Sequence, residues 1–512
     1  MTLWHEYFEQ HSRQRPNAPA FKDNGGTAWT YRELARACDD LRPHLTAAGL
    51  QPGDRVMVLC ENCCAAVVAL FAISQMGGVA VPVNARMQAA EVDRILAHSH
   101  PRVVLLTGAA SPDAATHALR LGAQEISGEF GALAMATPVY PEISDCAKEK
   151  GGSDEDAGTQ SPENLAVLLY TTGTTGDPKG VMLSHDNLTF GGGASARLRD
   201  MTAQDVVYGA LPLSHVFGLA SVLTASVMIG AEVRLEARFS AARFYQALRA
   251  GVTLVSAVPQ MHALVIQYAK EQGLEQLGSP DLRYVSSGAA PLDPDCKRRA
   301  EAFYGVALQN GYGMTEATAG ICATRNTIGD PDTSVGPALP GVSVRLDQNV
   351  PGAGDGLGEV CIRGRNVMLG YFRNPDATRA VLDAGGWLRS GDMGRLDAKG
   401  NLHIDGRAKE LIIHGGFNVF PPEVETALNS HPQVIQSAVV GRPLDGDEQV
   451  IAFVQVAAED HPDVEDLRSF VGQQLVGYKC PSQIILTKHL PAAPTGKILK
   501  HLLLAHFADR LV

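Results

Sequence analysis

One hydroxyl- and glycine-rich stretch constrains the chain more than any other. Residues 170–185 read Tyr-Thr-Thr-Gly-Thr-Thr-Gly-Asp-Pro-Lys-Gly-Val-Met-Leu-Ser-His. The stretch joins two apolar runs, Leu165–Leu169 and Val181–Leu183, whose length and bounding turn residues predict buried strands. Its glycines allow a ligand to approach the backbone closely, its threonines offer hydroxyl donors, and Lys179 adds a positive charge. The stretch therefore predicts either a polyphosphate-binding loop or an ordinary hairpin connection.

This stretch differs from the P-loop of NTPases. In a P-loop, Gly-Lys is followed by Ser or Thr and then by a helix. Here Lys179 is followed by Gly180 and an apolar run. The metal-binding hydroxyl and the helix N-terminus are thus missing from their expected places, so any phosphate would be bound in another way.

Length and charge bound the remaining possibilities. A chain of 512 residues is too long for a single ordinary core, so two or more domains are expected. The contents of 45% hydrophobic and 19% charged residues are those of a soluble globular protein. A formal net charge of −12 disfavours nucleic acid as the main partner, because a phosphate backbone requires a basic face.

The location of the protein is predicted to be cytoplasmic. The first residues, Met-Thr-Leu-Trp-His-Glu, lack the basic and apolar regions of a secretory signal, and the last residues, Arg-Leu-Val, are not a peroxisomal address. The most apolar stretch, Val67–Val83, is interrupted and too short to span a bilayer. Nine scattered cysteines fit a reducing compartment, and Cys60, Cys63 and Cys64 are predicted to be buried structural thiols.

The predicted fold class is α/β with more than one domain. Apolar runs alternate with helical patterns in two stretches, as in layered α/β sheets, and short strands with Gly and Pro turns from Ser343 onward predict a small β-subdomain. The composition changes again near Gly406, so we predict domains at 1–405 and 406–512, the second small and α+β. A polar linker is predicted at Asp145–Glu163. The predicted strands are Arg55–Leu59, Ala80–Pro82, Val103–Leu106, Val206–Leu211, Glu232–Leu235, Leu254–Ala257, Tyr284–Ser286, Val344–Leu346, Gly358–Arg363, Ala438–Val440, Ile451–Val456 and Gln483–Leu486, and the predicted helices include Tyr31–Ala48, Cys63–Met76, Ala89–Ala97, Pro422–Ser430 and Val464–Leu475.

Further stretches carry residues suited to chemistry. Taken one at a time, each has an ordinary explanation, such as a satisfied histidine, a tight turn, an Asx turn, a hairpin or a solvated lysine. Tyr312 nevertheless offers a flat π surface for a base, and Glu316 and Asp392 offer carboxylates for a metal ion and for ribose hydroxyls. The stretches are Pro212–Gly218, Ser287–Leu292, Asn310–Glu316, Ser390–Asp392, Asp405–Glu410, Gly415–Asn418 and Pro494–Ile498.

Together and in this order, these stretches resemble the adenylate-forming superfamily of acyl-CoA synthetases, non-ribosomal adenylation domains and firefly luciferases. The resemblance extends from about Trp4 to Lys500, which is nearly the whole chain. It implies a large N-terminal domain of layered α/β subdomains with a small β-barrel-like subdomain, followed by a small mobile α+β domain. Ser214 departs from the family, which commonly has an aromatic residue at that position.

The resemblance implies a binding site for ATP and Mg²⁺. Lys179 and the threonines would hold the β- and γ-phosphates, Thr315 the α-phosphate, Glu316 the metal, and Asp392 and Arg407 the ribose. The implied ATP-binding residues are Thr171, Thr172, Gly173, Thr174, Thr175, Gly176, Lys179, Gly288, Ala289, Ala290, Asn310, Gly311, Tyr312, Gly313, Met314, Thr315, Asp392, Arg407 and Lys497.

The resemblance also implies catalytic, acyl-binding and hinge residues. The catalytic set would be Lys497, Lys179, Thr172 and His215. Lys409 would be the hinge of the small domain, and Gly415 and Gly416 would line a tunnel for the pantetheine arm of coenzyme A, where a Cβ would obstruct the arm. The implied acyl pocket comprises His215, Phe217, Gly218, Gln260, Gly288, Gly311 and Ala317.

The activity implied is that of an ATP-dependent carboxylic acid–CoA ligase, which forms an acyl-AMP and then an acyl-CoA. Coenzyme A is favoured because the chain ends soon after Lys497, but loading of a carrier protein stays open and a luciferase-like oxygenase is more distant. A catalytically dead binding protein would be expected to lack Lys497 or Glu316. The segment 212–218 has no Asp for an α-ammonium group, and no arginine is placed for a second carboxylate. Medium-chain fatty acids and aryl or cinnamic acids both fit.

Overall fold

The computed structural model describes residues 2–139, 164–172, 178–415, 417–444, 447–457, 462–492 and 498–511. The predicted linker, Asp145–Glu163, lies outside the described residues. Two eight-stranded sheets, a four-stranded antiparallel sheet, a two-stranded hairpin and a three-stranded sheet form the framework. The predicted class, α/β layers with a small β-subdomain and a small α+β C-terminal part, is confirmed.

The first eight-stranded sheet contains the strands on either side of the glycine- and threonine-rich stretch. These two strands lie near one edge of the sheet, and the edge strand itself is a two-residue strand from much later in the chain. In sheet order the members are β18 (Gly370–Tyr371), β9 (Pro178–Ser184), β8 (Leu165–Thr172), β4 (Val79–Asn84), β3 (Arg55–Cys60), β5 (Val103–Leu106), β7 (Gly131–Ala136) and β6 (Gln124–Gly128).

The second eight-stranded sheet is mainly parallel and carries the predicted acyl and nucleotide stretches at its strand ends. Its predicted strands agree with the structure to within about two residues, which is the usual uncertainty of an element boundary. In sheet order the members are β15 (Ala319–Ala323), β14 (Leu308–Met314), β13 (Tyr284–Gly288), β12 (Leu254–Ala257), β10 (Val206–Gly209), β11 (Glu232–Leu235), β1 (Pro19–Lys22) and β2 (Ala28–Thr30).

The smaller sheets follow along the chain. The four-stranded sheet comprises β16 (Val342–Asp347), β17 (Gly358–Gly364), β19 (Leu388–Leu396) and β20 (Leu402–Arg407). Because β20 continues to Arg407, it extends two residues beyond the predicted domain boundary at 405. The last strands are β21 (Ile412–His414), β22 (Phe417–Val419), β23 (Val434–Leu444), β24 (Asp447–Val456) and β25 (Gln483–Thr487).

Helices cover the sheets, and several begin at side chains that cap them. Thr30 accepts a hydrogen bond from the backbone N–H of Glu33, and the Glu33 carboxylate accepts one from the N–H of Thr30, as in a capping box. The helices are α1 (Glu6–Gln14), α2 (Tyr31–Ala47), α3 (Cys64–Gln75), α4 (Ala89–Ser99), α5 (Pro112–Arg120), α6 (His185–Leu198), α7 (Ala225–Ile229), α8 (Ala241–Arg249), α9 (Pro259–Glu271), α10 (Pro294–Tyr304), α11 (Pro375–Val381), α12 (Pro421–Asn429), α13 (Val464–Gly472) and α14 (Lys500–His506). Among the described residues, none of these helices is both long enough and apolar enough to cross a membrane.

One large apolar core joins the two eight-stranded sheets. Trp4, Phe8 and Phe71 are fully buried in it, with ring centroids of Trp4 and Phe8 at 4.8 and 4.9 Å from that of Phe71. A separate apolar cluster, which includes Val424 and Val454, lies among the elements after residue 411. The C-terminal part therefore has a core of its own, as expected for the proposed small domain.

His185 begins α6 and binds the N-terminal segment. Its Nδ1 accepts a hydrogen bond from the backbone N–H of Trp4 at 3.2 Å, and the Trp4 indole donates to Thr224 at 3.0 Å. Burial lowers the pKa of His185 to about 4, and the neighbouring His5 adds to the effect. The imidazole is therefore neutral in the folded protein at pH values where it would be protonated in the unfolded chain.

This difference in pKa between the folded and unfolded states predicts that His185 makes the stability of the protein depend on pH. Because its folded pKa lies below its unfolded value, the unfolded chain binds more protons between about pH 4 and 6.5, and stability falls as pH decreases through that window. We expect His185→Asn, which keeps a neutral polar side chain, to reduce the slope of unfolding free energy against pH by up to about 1.4 kcal/mol per pH unit. Urea unfolding at a series of pH values measures this slope, with the exposed His501→Asn as control. Equal slopes in wild type and His185→Asn would contradict the assignment.

Candidate active site

The strands β8 and β9 form the arms of the glycine- and threonine-rich hairpin. Thr171 pairs with Lys179 and Thr172 with Pro178, so the predicted flanking strands are confirmed. The predicted ligands Gly173, Thr174, Thr175 and Gly176 lie outside the described residues, as does the side chain of Thr172. Their contacts with phosphate stay predictions. What the structure adds is the position of Lys179, on the second arm next to β18.

Lys179 and Glu316 both contact one aromatic residue, Tyr371, that the sequence had not singled out. The Lys179 Nζ is 5.0 Å from the centroid of the Tyr371 ring, and the Tyr371 hydroxyl donates a hydrogen bond to Glu316 Oε1 at 2.9 Å. The predicted phosphate and magnesium groups are therefore brought together. The only local signal for Tyr371 is an aromatic residue after Gly370, which is too weak to indicate a site.

A second cluster joins the residues predicted for adenine and ribose. The Tyr312 hydroxyl donates to Asp392 Oδ2 at 2.5 Å, and Arg407 Nε lies 3.2 Å from Asp392 Oδ1. Burial, and then the charge of Asp392, raise the pKa of Tyr312 well above its usual value, so this hydroxyl remains protonated and donates. The structure thus brings Tyr312, Asp392 and Arg407 into contact.

An Asx turn is the ordinary explanation that the sequence offers for Ser390–Asp392, but the structure places Asp392 inside a strand. It lies in β19 and pairs directly with Arg407 of β20. Gly391 has a φ of +74°, a conformation that glycine adopts readily, so the strand is locally irregular just before Asp392. The cross-strand pair is what holds the Arg407 side chain against the carboxylate.

Two paired glycines lie where β13 ends beside β14. Gly288, the last residue of β13, pairs with Gly311 in the middle of β14, and a Cβ on Gly288 would lie 3.2 Å from Cε1 of Phe217 and 3.3 Å from the Gly311 carbonyl oxygen. Phe217 thus packs against Gly288, whereas a Cβ on Gly311 would have only backbone atoms within 4 Å. The neighbouring residues that the sequence assigned to ATP or acyl binding lie along the same strand ends: Ala289, Ala290, Gly313, Met314, Thr315 and Ala317.

His215 precedes a helix type that the sequence did not predict. Residues Phe217–Thr224 form a π-helix, a rare element that often marks functional sites. The His215 Nδ1 accepts a hydrogen bond from the Phe217 backbone N–H at 3.2 Å, which orients the ring. A Cβ on Gly218 would lie 2.6 Å from the Leu211 carbonyl oxygen, so only glycine allows the helix to begin so close to this segment. Gln260, also predicted for the acyl pocket, lies half-buried on α9.

Asn62 is a buried residue that fixes the approach to His215 and that the sequence analysis missed. Its Nδ2 donates to the carbonyls of Gly209 and Leu211 at 2.9 and 2.8 Å, and its Oδ1 accepts from the Leu213 N–H at 2.9 Å. All the amide's partners are backbone groups of the segment that leads from β10 to the histidine. The neighbouring Cys60, Cys63 and Cys64 are buried, as predicted for structural thiols.

Asn310 also uses its side chain within the fold. Its amide donates to the carbonyls of Thr333 and Ser334, at 3.3 and 2.9 Å. Its backbone N–H and carbonyl also bond to Thr324, at 2.8 and 2.9 Å, so the predicted contact of Asn310 with ATP would depend on its side-chain oxygen. This contact stays a prediction, and the structure shows that the Asn310 side chain also has a structural role.

The predicted hinge lies in a short 3₁₀ helix, Ala408–Glu410, directly after β20. Lys500, at the start of α14, contacts Glu410 at 3.2 Å and Glu425 at 2.7 Å. Gly415 has a φ of +58° at the turn between β21 and β22, and a Cβ there would meet no atom within 4 Å. A hairpin turn thus accounts for Gly415, and its role in a tunnel stays a prediction. Gly416 and Lys497 lie outside the described residues.

Comparison with known proteins decides the family. A model of the AMP-binding enzyme family matches residues 8–372, and a model of the AMP-binding enzyme C-terminal domain matches residues 423–497. The chain belongs to the AMP-binding enzymes. Its predicted membership of the adenylate-forming superfamily is therefore confirmed.

Individual relatives agree with this assignment. The feruloyl-CoA synthase of an Amycolatopsis species is 34% identical over 96% of this chain and 96% of its own. The long-chain-fatty-acid–CoA ligase FadD13 of Mycobacterium tuberculosis is 32% identical over 92% of this chain and 91% of its own. The crystal structure of ATP-bound MatB from Rhodopseudomonas palustris superposes with a TM-score of 0.80 at 30% identity, covering 99% of this chain and 100% of the other. The protein is an AMP-forming acid–thiol ligase, as predicted.

The anchoring of the histidine segment by Asn62 gives a testable prediction. Asn62→Asp keeps the shape of the side chain but replaces two N–H donors with an acceptor that faces two carbonyl oxygens. We expect this change to lower the free energy of unfolding by about 1–3 kcal/mol. Because the displaced segment carries His215, we also expect kcat/KM for the acid to fall by roughly tenfold or more, with a smaller effect on KM for ATP.

Acid-dependent release of pyrophosphate and urea unfolding measure the two effects. The exposed Asn349→Asp, on the turn after β16, serves as the matched control. A stable Asn62→Asp enzyme with unchanged kinetics for the acid would show that Asn62 does not position this segment.

Proposed function

We propose that this AMP-forming ligase converts an aryl or cinnamic-type carboxylic acid into its coenzyme A thioester, and that it does so in the cytoplasm. The observation that carries the choice of acid is Gly311, whose Cβ position has only backbone atoms within 4 Å, beside Gly288, which the Phe217 ring contacts. A patch of bare backbone bordered by an aromatic ring suits a planar substrate. Free thiols at the described cysteines suit a reducing compartment.

The first half-reaction activates the acid. A carboxylate is a poor electrophile, and its attack on the α-phosphorus of ATP breaks the bond to pyrophosphate and forms an acyl-AMP. No enzyme nucleophile is needed, so the protein contributes orientation and charge. In this proposal Lys179 contacts the phosphates, the Tyr312 ring contacts the base, and Asp392 and Arg407 hold the ribose.

The residues near Glu316 fit a magnesium ion. Magnesium binds through one or two carboxylates together with phosphate oxygens and water, and Glu316 is half-buried with its Oε1 oriented by the Tyr371 hydroxyl. Glu316 would hold the ion, and the Thr315 hydroxyl would lie beside the α-phosphate. When bound, Mg²⁺ would neutralise charge on the phosphates.

The second half-reaction transfers the acyl group to the thiol of coenzyme A. We propose that residues 406–512 rotate about Lys409, withdraw Lys497 and bring Gly415 and Gly416 to the thiol. The separate core of this part and its connection through a short 3₁₀ helix support the proposal. The thiol then attacks the acyl carbon, and AMP leaves.

A medium-chain fatty acid is the second candidate substrate. FadD13, a long-chain-fatty-acid–CoA ligase by name, is 32% identical to this chain, close to the 34% of the feruloyl-CoA synthase. Apart from His215 and Gln260, the residues of the proposed pocket are small or apolar, which an alkyl chain also tolerates. The bare backbone at Gly311 favours the planar acid.

A panel of acids tests the substrate proposal. We expect kcat/KM for cinnamic-type acids to exceed that for octanoate by at least about tenfold. A flexible alkyl chain makes less contact with a flat surface than a planar acid does, and the chain must also be ordered on binding. Pyrophosphate release is measured with and without coenzyme A, and the acyl-CoA product is quantified. A preference for octanoate would support the fatty-acid alternative. Pyrophosphate release without acyl-CoA formation would point to another acceptor.

Lys497→Ala separates the two half-reactions. If Lys497 contacts the reacting carboxylate and phosphate only during adenylation, its removal should lower that step by roughly 10²–10³-fold, as for loss of a preorganised donor. Formation of acyl-CoA from supplied acyl-AMP should change little. Stopped assays of each half-reaction measure the two effects, with Lys488→Ala as control. Equal losses in both steps would contradict the two-conformation proposal.

A further inference from the structure

Tyr371 contacts the two charged groups of the proposed phosphate site with two different parts of its side chain. Its ring lies under the Lys179 ammonium, with Nζ 5.0 Å from the centroid, and its hydroxyl donates to Glu316 Oε1 at 2.9 Å. One neutral side chain therefore contacts both the cation and the anion.

The backbone around Tyr371 is held from both sides. Tyr371 pairs with Val181 across β18 and β9, and the N–H of Phe372 donates to the Gly180 carbonyl at 2.7 Å. The N–H of Tyr371 donates to Thr378 Oγ1 at 2.9 Å. Because Gly180 follows Lys179 directly, Tyr371 and Lys179 are fixed on adjacent strands.

The Glu316 segment is fixed to the same strand region. The backbone N–H of Met368 donates to the Glu316 carbonyl at 2.8 Å, three residues before Tyr371. Backbone pairing thus fixes both the strand that carries Lys179 and the Glu316 segment relative to Tyr371, whose side chain contacts both charged groups.

The nature of the contacts leaves both charges available to a ligand. A cation–π contact holds an ammonium without neutralising it, so its N–H donors can still bind phosphate oxygens. Within the described part of the chain, Lys179 forms no ion pair with a carboxylate. A hydrogen bond to Oε1 likewise orients the Glu316 carboxylate without removing its charge, much as outer-shell groups orient metal ligands.

We propose that Tyr371 is a positioning residue that orients Lys179 and Glu316 for the magnesium complex of ATP. The inference rests on the proposed function, in which Lys179 contacts phosphate and Glu316 holds the metal. Without Tyr371, the Lys179 ammonium would lose its contact with the ring, and the Glu316 carboxylate would lose the hydrogen bond that orients it.

Two substitutions separate the roles of ring and hydroxyl. Tyr371→Phe keeps the ring and removes only the hydrogen bond to Glu316. We expect it to bind ATP in the presence of EDTA within about twofold of wild type, and to require roughly 10–100-fold more Mg²⁺ for half-maximal pyrophosphate release. Tyr371→Leu removes the ring as well. We expect it also to weaken the affinity for ATP, measured in the presence of EDTA, by about fivefold.

Calorimetric titration with ATP, with EDTA and with Mg²⁺, gives a readout that does not depend on turnover. Tyr31→Phe is the matched control, because it also removes a buried tyrosine hydroxyl, which donates to the Ala231 carbonyl at 3.0 Å in a distant part of the core. Loss of the Tyr31 hydroxyl should lower the stability of the protein without changing its magnesium requirement. A purely structural role for Tyr371 would instead lower stability while leaving ATP affinity and magnesium requirement at wild-type values in the folded fraction.

The outcomes separate this inference from the proposed function. If the wild-type protein releases pyrophosphate with an acid and Tyr371→Phe has an unchanged magnesium requirement, the positioning role is wrong and the proposed function stands. If Glu316→Gln also leaves the magnesium requirement unchanged, the role of Glu316 is wrong and the inference falls with it. If the wild-type protein releases no pyrophosphate with any acid of the panel, the proposed function itself fails.

Discussion

The backbone pairing between β9 and β18 connects parts of the chain that are almost 200 residues apart, and the candidate site depends on it. It closes the edge of the first eight-stranded sheet beside Lys179. It also brings the segment that contacts Glu316 next to the same hairpin. Ladder hydrogen bonds of this kind are set by backbone geometry rather than by side-chain chemistry. The spacing of the site is therefore a property of the sheet.

The two acidic residues proposed to bind nucleotide and metal share one feature. Each accepts a hydrogen bond from a tyrosine hydroxyl: Glu316 from Tyr371, and Asp392 from Tyr312. Burial raises the pKa of both tyrosines, and the adjacent carboxylates add to the effect, so both hydroxyls stay protonated and act as donors. A neutral donor orients a carboxylate and leaves its charge for the ligand, whereas a lysine or arginine in that place would neutralise it. Asp392 also has a cation beside it, Arg407.

Local patterns in the sequence predicted most of the strands, because a run of apolar residues indicates a buried strand without any knowledge of its partners. Val103–Leu106 agrees with the prediction residue for residue. The two-residue strand β18 had no pattern to detect, since its pairing with β9 depends on a distant partner. The role of Asn62 was missed for the same reason, because its hydrogen-bond partners lie at residues 209–213, far away in the sequence. The resemblance to a family located the candidate ligands, whereas the residues that hold those ligands required the three-dimensional contacts.

A charge cluster in the C-terminal part fixes the geometry beside the proposed hinge. Burial alone would lower the pKa of Lys500, but the carboxylates of Glu425 and Glu410 outweigh it and raise the pKa. Such a cluster contributes little net stability, because desolvation offsets attraction, yet breaking one contact would leave an uncompensated buried charge. Glu410 follows the proposed hinge residue Lys409 directly, and Lys500 begins the helix three residues after Lys497. The cluster therefore ties the start of the proposed small domain to the segment that follows the proposed catalytic lysine. A rotation at Lys409 would then carry that segment with it as one body, so the exchange of half-reactions would need no separate rearrangement of the C-terminal helix.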